Sequence, residues 1–202
     1  MKIQKINLFN IVNIISNISD MVSPVLRKHQ IKVGYISLLI GQGMGLSTKK
    51  QNEVLIAGLL HDIGATSLKE RLDLLNFEFE DPHHAERGYI LLKKCKYFKN
   101  IAKIIRFHHF RYDYGKGLEF KGEKIPIESH ILHLSDRVVV LLKTYEEPLK
   151  QRDKICKKIK ENSGRFFHPD IVDVFLSIVD KESFWFDISA FDIDKIISSQ
   201  VK

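Results

Sequence analysis

The 202-residue sequence predicts an all-α fold, and three observations support this class. Apolar residues recur at helical spacing along most of the chain, as Ile101, Ile104 and Ile105 do. Proline or a capping residue stands before many of these stretches, which is where helices begin. Alternation of apolar and polar residues, which indicates strands, does not reach a useful length.

The first predicted element is an amphipathic helix over residues 1–22. Ile11, Ile14, Ile15 and Ile18 recur at helical spacing, so we expect them to pack on the rest of the domain. Asparagines interrupt this apolar stretch, which argues against a secretory signal.

Further helices are predicted in chain order from their opening signals. These signals are Ser23-Pro24, Thr48 with Gln51, Asp81-Pro82, Pro126, Pro148 and Pro169. The helix from Pro24 is expected to end near Ile40, before a glycine-rich stretch. The helix from Pro82 is expected to continue through Lys94, and another is expected over residues 98–109.

The chain is predicted to form one domain at residues 23–182, with a C-terminal helical tail at residues 183–202. Trp185 is expected to anchor this tail by packing. The long loop from Tyr112 to Lys124 contains glycines and follows two histidines, so we expect it to contribute to ligand binding.

The composition restricts the class of partner. Lys and Arg number 32 against 25 Asp and Glu, which gives a formal net charge of +7. This excess favours an anionic partner such as a nucleotide, although a lysine-rich solvated surface alone would also produce it. The lysine clusters lack the interleaved aromatic residues typical of nucleic-acid platforms, so no nucleic-acid partner is expected. The 2 cysteines lack metal-binding spacing and no long apolar run occurs, which predicts a cytoplasmic protein with no membrane partner.

The most informative motif is His61-Asp62, which follows an apolar run and has further histidines and an aspartate around it. These further residues are His29, His83, His84, His108, His109 and Asp136. Imidazoles can cap each of two metal ions while one carboxylate bridges both. The motif therefore predicts a metal-dependent phosphohydrolase, if the side chains converge. The histidines at 83, 130, 133 and 168 are expected to be structural or surface residues.

Several segments match a known family in order and in approximate spacing. They are HQIKVGYISLLIGQGMGLS, AGLLHDIG, HAERGYILL, HHFRYDYGKGLEFKGEKIP, ILHLSDRVVVLL and FHPDIVDVFL, and they cover roughly residues 25–180. Through these segments the chain resembles the HD superfamily and, within it, the HD-GYP branch of cyclic di-GMP phosphodiesterases. The resemblance implies an HD-domain helical bundle.

The resemblance also implies a binuclear metal site, with His61 and Asp62 as its catalytic residues. One metal would be held by His29, His61, Asp62 and Asp136, and the other by Asp62, His84, His108 and His109. Two divalent ions are expected, because Val25 stands where some relatives have a glutamate for a third. Imidazole and carboxylate ligands favour iron or manganese, with zinc, nickel or cobalt as alternatives.

The function that the resemblance implies is hydrolysis of cyclic di-GMP or a related nucleotide by a metal-bridging hydroxide. Three departures concern the substrate, since Ala65 replaces a phosphate-binding lysine, Phe110 replaces a glutamate, and the GYP signature is absent. Arg111, Lys116 and Lys121 are the candidates for substrate binding in place of that lysine.

These departures keep two alternatives open. One is a metal-bound but weakly active or inactive protein that senses a nucleotide or binds a partner protein. The other is an HD-type hydrolase of ordinary nucleotides. A protein signalling partner is compatible with each of them.

Overall fold

The computed structural model describes residues 8–78, 81–143 and 145–200, and most of these residues are helical, which confirms the predicted all-α class. The helices are α1 (Leu8–Asp20), α2 (His29–Gly43), α3 (Thr48–Leu60), α4 (Leu68–Asp73), α5 (Pro82–Leu92), α6 (Lys99–Arg106), α7 (Ile127–Leu141), α8 (Pro148–Glu161), α9 (Pro169–Val179), α10 (Glu182–Ser189) and α11 (Ile193–Gln200). Short 3-10 helices lie at Pro24–Leu26, Lys96–Phe98 and Asp113–Leu118. The first seven residues of the predicted N-terminal helix lie outside the described residues. Within the described ranges, no helix has the length and apolar character needed to cross a membrane.

Prolines begin three of the helices as predicted. Pro82, Pro148 and Pro169 are the first residues of α5, α8 and α9. Ahead of α5, the Asp81 carboxylate accepts a hydrogen bond of 2.9 Å from the His83 amide. This cap satisfies one of the amides that the first turn of a helix leaves without a partner.

The predicted helix from Pro24 to Ile40 is wrong at its start. The first residues form the 3-10 helix at Pro24–Leu26, and Lys28 then takes a left-handed conformation with φ of 62°. A residue in that conformation cannot continue a right-handed helix. Helix α2 therefore begins at His29 and places this residue at a helix end.

Helix α6 is shorter than the predicted span of residues 98–109, because it ends at Arg106. The chain turns after that point, so His108 and His109 lie beyond the helix. Helix α5 likewise ends at Leu92 rather than Lys94.

The loop after α6 contains a hairpin that the sequence did not predict. Strand β1 (Glu119–Phe120) pairs in antiparallel fashion with strand β2 (Glu123–Lys124). Each strand has two residues, which is too short to produce a recognisable alternation of apolar and polar side chains.

Helix α2 is central to the fold and contacts α1, α3, α7, α9 and α11. Its backbone approaches that of α3 where Gly34 and Gly58 meet. A Cβ atom added to Gly58 would lie 2.5 Å from the Cα atom of Gly34. Only a glycine at position 58 allows this separation, which brings the histidine-bearing ends of α2 and α3 close together.

The C-terminal helices α10 and α11 pack on the rest of the described chain through contacts with α8, α9 and α2. Trp185 is buried, and its Nε1–H donates a hydrogen bond of 2.8 Å to the carbonyl of Val179. This contact confirms the expected packing role of Trp185.

Helix α1 packs on α2 and α3 through the face opposite to the predicted one. Phe9 and Val12 are buried, whereas Ile14 and Ile18 are 60% and 63% exposed. The expectation that the isoleucine face packs on the domain is therefore wrong. Helix α1 is apolar on two faces, and periodicity alone does not say which of them is covered.

Asp20, the last residue of α1, is buried where α1 meets the start of α2. Its Oδ2 accepts a hydrogen bond of 3.3 Å from the backbone amide of Gln30, and its Oδ1 has no hydrogen-bond partner within the described residues. Burial raises the pKa of Asp20 to about 7, although the charge of His29 acts in the opposite direction. The carboxyl group thus favours its neutral form in the folded protein without metal.

We expect Asp20→Asn to stabilise the metal-free protein above pH 7. The folded pKa of about 7 exceeds the ordinary value of 3.8. Ionisation of Asp20 therefore lowers the free energy of unfolding of the wild type as the pH rises from about 4 to 7, and this loss is complete above pH 7. Asparagine keeps an acceptor for Gln30 and does not ionise. The variant should gain roughly 1–3 kcal/mol at pH 8 and little at pH 4. Urea unfolding with a chelator present measures both, and an equal difference at the two pH values would contradict the prediction.

Candidate metal centre

The seven predicted metal ligands are all buried, and they come from five helices or helix ends. His29 is the first residue of α2, His61 and Asp62 directly follow α3, His84 lies in the first turn of α5, His108 and His109 follow α6, and Asp136 lies within α7. Adjacent residues inside a helix point in directions about 100° apart. Because His108 and His109 lie beyond the end of α6, both can face the same space.

The first cluster consists of His29, His61 and Asp136, whose ligand atoms lie within 4.8 Å of one another. The Nε2 atom of His29 is 3.2 Å from Asp136 Oδ1. The Nε2 atom of His61 is 3.6 Å from the same oxygen. Two imidazoles and a carboxylate thus surround one position.

The second cluster consists of His84, His108 and His109, again with ligand atoms within 4.8 Å of one another. The Nε2 atoms of His84 and His109 are 3.1 Å apart. The ring centroids of His108 and His109 are separated by 4.0 Å. Three imidazoles thus converge on a second position.

The Asp62 carboxylate lies between the two clusters. Its Oδ2 is 3.2 Å from His61 Nε2, in the first cluster. Its Oδ1 is 3.4 Å from His84 Nε2, in the second cluster. One oxygen therefore faces each cluster, which is the arrangement of a bridging carboxylate in a two-metal site.

Backbone carbonyls orient two of the imidazoles. The Nδ1–H of His61 donates a hydrogen bond of 2.9 Å to Gly58, and that of His108 donates one of 2.7 Å to Ile105. The opposite nitrogen, Nε2, is buried in both rings. In His61 it faces the carboxylates of Asp62 and Asp136, and in His108 it has no hydrogen-bond partner within the described residues. Metal-binding histidines use this arrangement, since the second-shell carbonyl fixes the tautomer that presents Nε2. The residues present therefore fit a metal ion.

The charges of the two clusters differ when no metal is bound. Burial alone would raise the pKa of Asp62, but His61 and His84 together outweigh it and hold this pKa well below its ordinary value. Burial alone would lower the pKa of His61, but Asp62 and Asp136 raise it to about 10. Burial, followed by the neighbouring His84, lowers the pKa of His108 to about 3. A cation would therefore displace a proton from His61 but meet neutral imidazole at His108.

Arg137 is a functional candidate that the sequence analysis missed. Its Nη2 lies 2.5 Å from Asp136 Oδ2 and also donates to the carbonyl of Leu74. Its Nη1 donates a hydrogen bond of 2.8 Å to the carbonyl of Asn76. The side chain thus orients a predicted ligand and connects it to the segment after α4. A charged residue directly after Asp136 within an apolar run was the available signal.

A cavity of about 560 Å³ opens beside His109, at the second cluster. Phe107, Phe110 and Phe120 line it, together with Arg111. The Phe110 and Phe120 rings meet edge to face with centroids 4.8 Å apart. The residue that replaces the glutamate of the HD-GYP pattern is thus part of an aromatic wall.

A second cavity, of about 400 Å³, opens beside His29 at the first cluster. Arg27, Lys32 and Lys143 lie among its lining residues, together with Glu146, which pairs with Lys143 at 2.7 Å. Cationic side chains beside a metal centre provide charge-assisted contacts for phosphate oxygens.

The three predicted substrate-binding residues lie at different distances from these cavities. Arg111 lines the cavity beside His109, and its guanidinium stacks on the Phe166 ring at 3.9 Å from the centroid. Lys116 and Lys121 are exposed on the loop after α6 and do not line that cavity. Ala65 is buried, and it contributes no charge.

The other four histidines lie where structural or surface residues are expected. His83 is exposed next to Asp81, and His168 caps α9. His130 and His133 are buried inside α7. Burial lowers the pKa of His130 to about 4, so it is neutral at physiological pH.

Comparisons with known proteins agree with this geometry. A family model described as HD domain matches residues 26–141. A 3'3'-cGAMP-specific phosphodiesterase 1 of Vibrio cholerae is 27% identical over 174 residues, which cover 82% of this chain and 40% of the relative. A cyclic di-GMP phosphodiesterase of Thermotoga maritima is 29% identical over 184 residues, which cover 85% of this chain and 49% of the relative. The chain thus spans less than half the length of these two relatives.

Among solved structures, a cyclic GMP-AMP specific phosphodiesterase of Vibrio cholerae superimposes with a TM-score of 0.72. The match covers 95% of this chain and 53% of the other, at 19% sequence identity. At this identity the likeness establishes a shared fold.

We expect Asp62→Ala to abolish binding of both metal ions, because its two oxygens face the two clusters. Metal content after dialysis against Mn²⁺, measured by inductively coupled plasma mass spectrometry, checks this. The matched control is His83→Ala, which removes an exposed imidazole next to His84 and should retain wild-type metal content. Full occupancy in Asp62→Ala would contradict the bridging role.

Proposed function

The chain belongs to the HD domain family, and on this basis we propose that it is a metal-dependent phosphodiesterase that hydrolyses a cyclic dinucleotide. Cyclic di-GMP is the first candidate substrate and 3'3'-cGAMP the second, because the similar proteins of known function carry these names. The observation that carries the proposal is the position of Asp62, with one oxygen toward each of two ligand clusters.

We assign the ligands as the geometry groups them. His29, His61, Asp62 and Asp136 would hold one divalent ion, and Asp62, His84, His108 and His109 the other. Iron or manganese suits this set of imidazoles and carboxylates. When bound, two such ions would supply a water nucleophile that is ionised near neutral pH and would stabilise charge on the phosphate oxygens.

Other contacts within the protein would orient the metal ligands. Arg137 would keep Asp136 ionised and oriented, since its guanidinium is paired with that carboxylate. His61 and His108 would keep their Nε2 atoms toward the centre through their hydrogen bonds to backbone carbonyls. These contacts fix the ligands before substrate arrives, so little reorganisation is needed during the reaction.

The two cavities are suited to different parts of a nucleotide. In the cavity beside His109, a base would stack on the aromatic wall that includes Phe110. In the cavity beside His29, the basic side chains would contact phosphate. Arg111 is the predicted substrate-binding residue that lines a cavity, whereas Lys116 and Lys121 would need the loop to move. An inactive nucleotide sensor is less favoured, because the similar proteins are phosphodiesterases.

The function is tested by incubating iron- or manganese-loaded protein with each cyclic dinucleotide and separating the products by chromatography. We expect linear dinucleotide or mononucleotide from the wild type and none from His61→Ala. No product from wild-type protein that carries two metal ions per chain would overturn the proposal.

We expect Phe110→Ala to weaken substrate binding without loss of metal. Removal of a stacking ring should raise KM about tenfold or more with a smaller change in kcat, because stacking contributes about 1–3 kcal/mol per base. Initial rates over a range of substrate concentrations give both constants. The control is Phe186→Ala, which removes an exposed ring on α10 and should match the wild type. An unchanged KM in Phe110→Ala would place the base elsewhere.

A further inference from the structure

The outward face of α1, continued by the chain after it, carries a row of exposed apolar side chains that we call the outer seam. Its members are Leu8, Ile11, Ile15, Ile18, Val22 and Val25, and each is at least 39% exposed. Ile14 and Met21 lie beside the row and are 60% and 82% exposed. The opposite face of the same helix is buried through Phe9 and Val12, so the outer seam is not needed to attach α1 to the protein.

The spacing of the outer seam identifies the kind of surface that fits it. Successive members are separated alternately by three and four residues, from Leu8 to Val25. Within α1, Leu8, Ile11, Ile15 and Ile18 follow the a and d pattern of a heptad repeat. Val22 and Val25 lie beyond the end of the helix at Asp20 and are exposed apolar residues of the segment that follows. A helix with this pattern presents an apolar stripe that packs against a second helix.

The flanks of the outer seam favour a second copy of the same helix. From Leu8 to Ser19 the chain has no charged residue, and Asn10 and Asn17 are the exposed polar groups beside the seam. Charged flanks normally select a partner of opposite charge and repel an identical helix. A neutral flank neither selects a partner of opposite charge nor repels an identical helix. An asparagine amide can both donate a hydrogen bond to, and accept one from, the same asparagine of a second copy.

The size of the exposed patch agrees with this partner. Eight large apolar side chains between Leu8 and Val25 are each at least 39% exposed, whereas apolar patches on monomeric proteins rarely exceed about 300–600 Å². A specific interface covers about 800 Å² on each partner. An interface of that size would bury these side chains together with the polar residues beside them.

We propose that α1 is a dimerisation helix and that two copies of this chain pair along the outer seam. The pairing is a contact between identical surfaces, which is the usual form of a twofold dimer. The buried face of α1 remains on α2 and α3, so each protomer keeps its own metal centre.

The test is the mass of the metal-loaded protein in solution, measured by light scattering and sedimentation between about 1 and 200 μM. We expect a dimer for the wild type and a monomer for the double variant Ile15→Glu/Ile18→Glu. The control is Tyr97→Glu/Phe186→Glu, which adds the same charges at exposed aromatic residues away from α1 and should stay dimeric. Helical content and metal content, unchanged from the wild type, show that each variant is folded.

Disulfide trapping keeps the proposal testable if the double glutamate variant does not fold. In a Cys95→Ser background, Ile15→Cys alone should cross-link if the helices are parallel. A mixture with Ile18→Cys should cross-link if they are antiparallel. A monomeric wild type at 200 μM, a dimer that persists in the folded glutamate variant, or the absence of both cross-links would overturn the proposal.

Discussion

The close approach of α2 and α3 at Gly34 and Gly58 is the constraint on which the rest of the structure depends. Gly58 lies one turn before His61, and Gly34 lies little more than one turn after His29. Because the backbones touch here, a methyl group at position 58 would push apart two helix ends that must stay within a few ångströms. A metal site tolerates only much smaller displacements of its ligands, because metal–ligand distances vary by only about 0.2 Å.

The same constraint recurs on the other side of the metal centre. A Cβ atom on Gly64 would collide with the backbone carbonyl of His84 and the amide of Gly88. The turn that follows Asp62 therefore rests directly on α5, and it sets the distance between the two ligand clusters. Side chains fill the core around these two glycine contacts. The distances between the ligand side chains depend on the close backbone approaches at Gly58 and Gly64.

The sequence predicted the helical class and the proline-initiated helices, because these depend on local signals. Motif order also singled out the seven buried side chains that the fold brings together, whose role as metal ligands stays a prediction. The sequence did not predict that Lys28 breaks a helix or that α6 ends at Arg106, because tertiary packing decides both. The outward orientation of Ile14 and Ile18 was missed for a similar reason: a helix with two apolar faces does not reveal which one is covered. Arg137 was missed because its role depends on carbonyl groups that are distant in sequence.

The helix ends at the metal centre have opposite polarity. Helices α3 and α6 direct their carboxyl ends toward it, where the partial negative charge of the helix dipole favours a cation. Helices α2 and α5 direct their amino ends toward it, where the partial positive charge favours an anion. The two cavities open at those amino ends, since Arg27 and His29 line one of them and Pro82 and His83 line the other. Backbone partial charges thus favour a cation at one pair of helix ends and an anion at the other, before any charged side chain contributes.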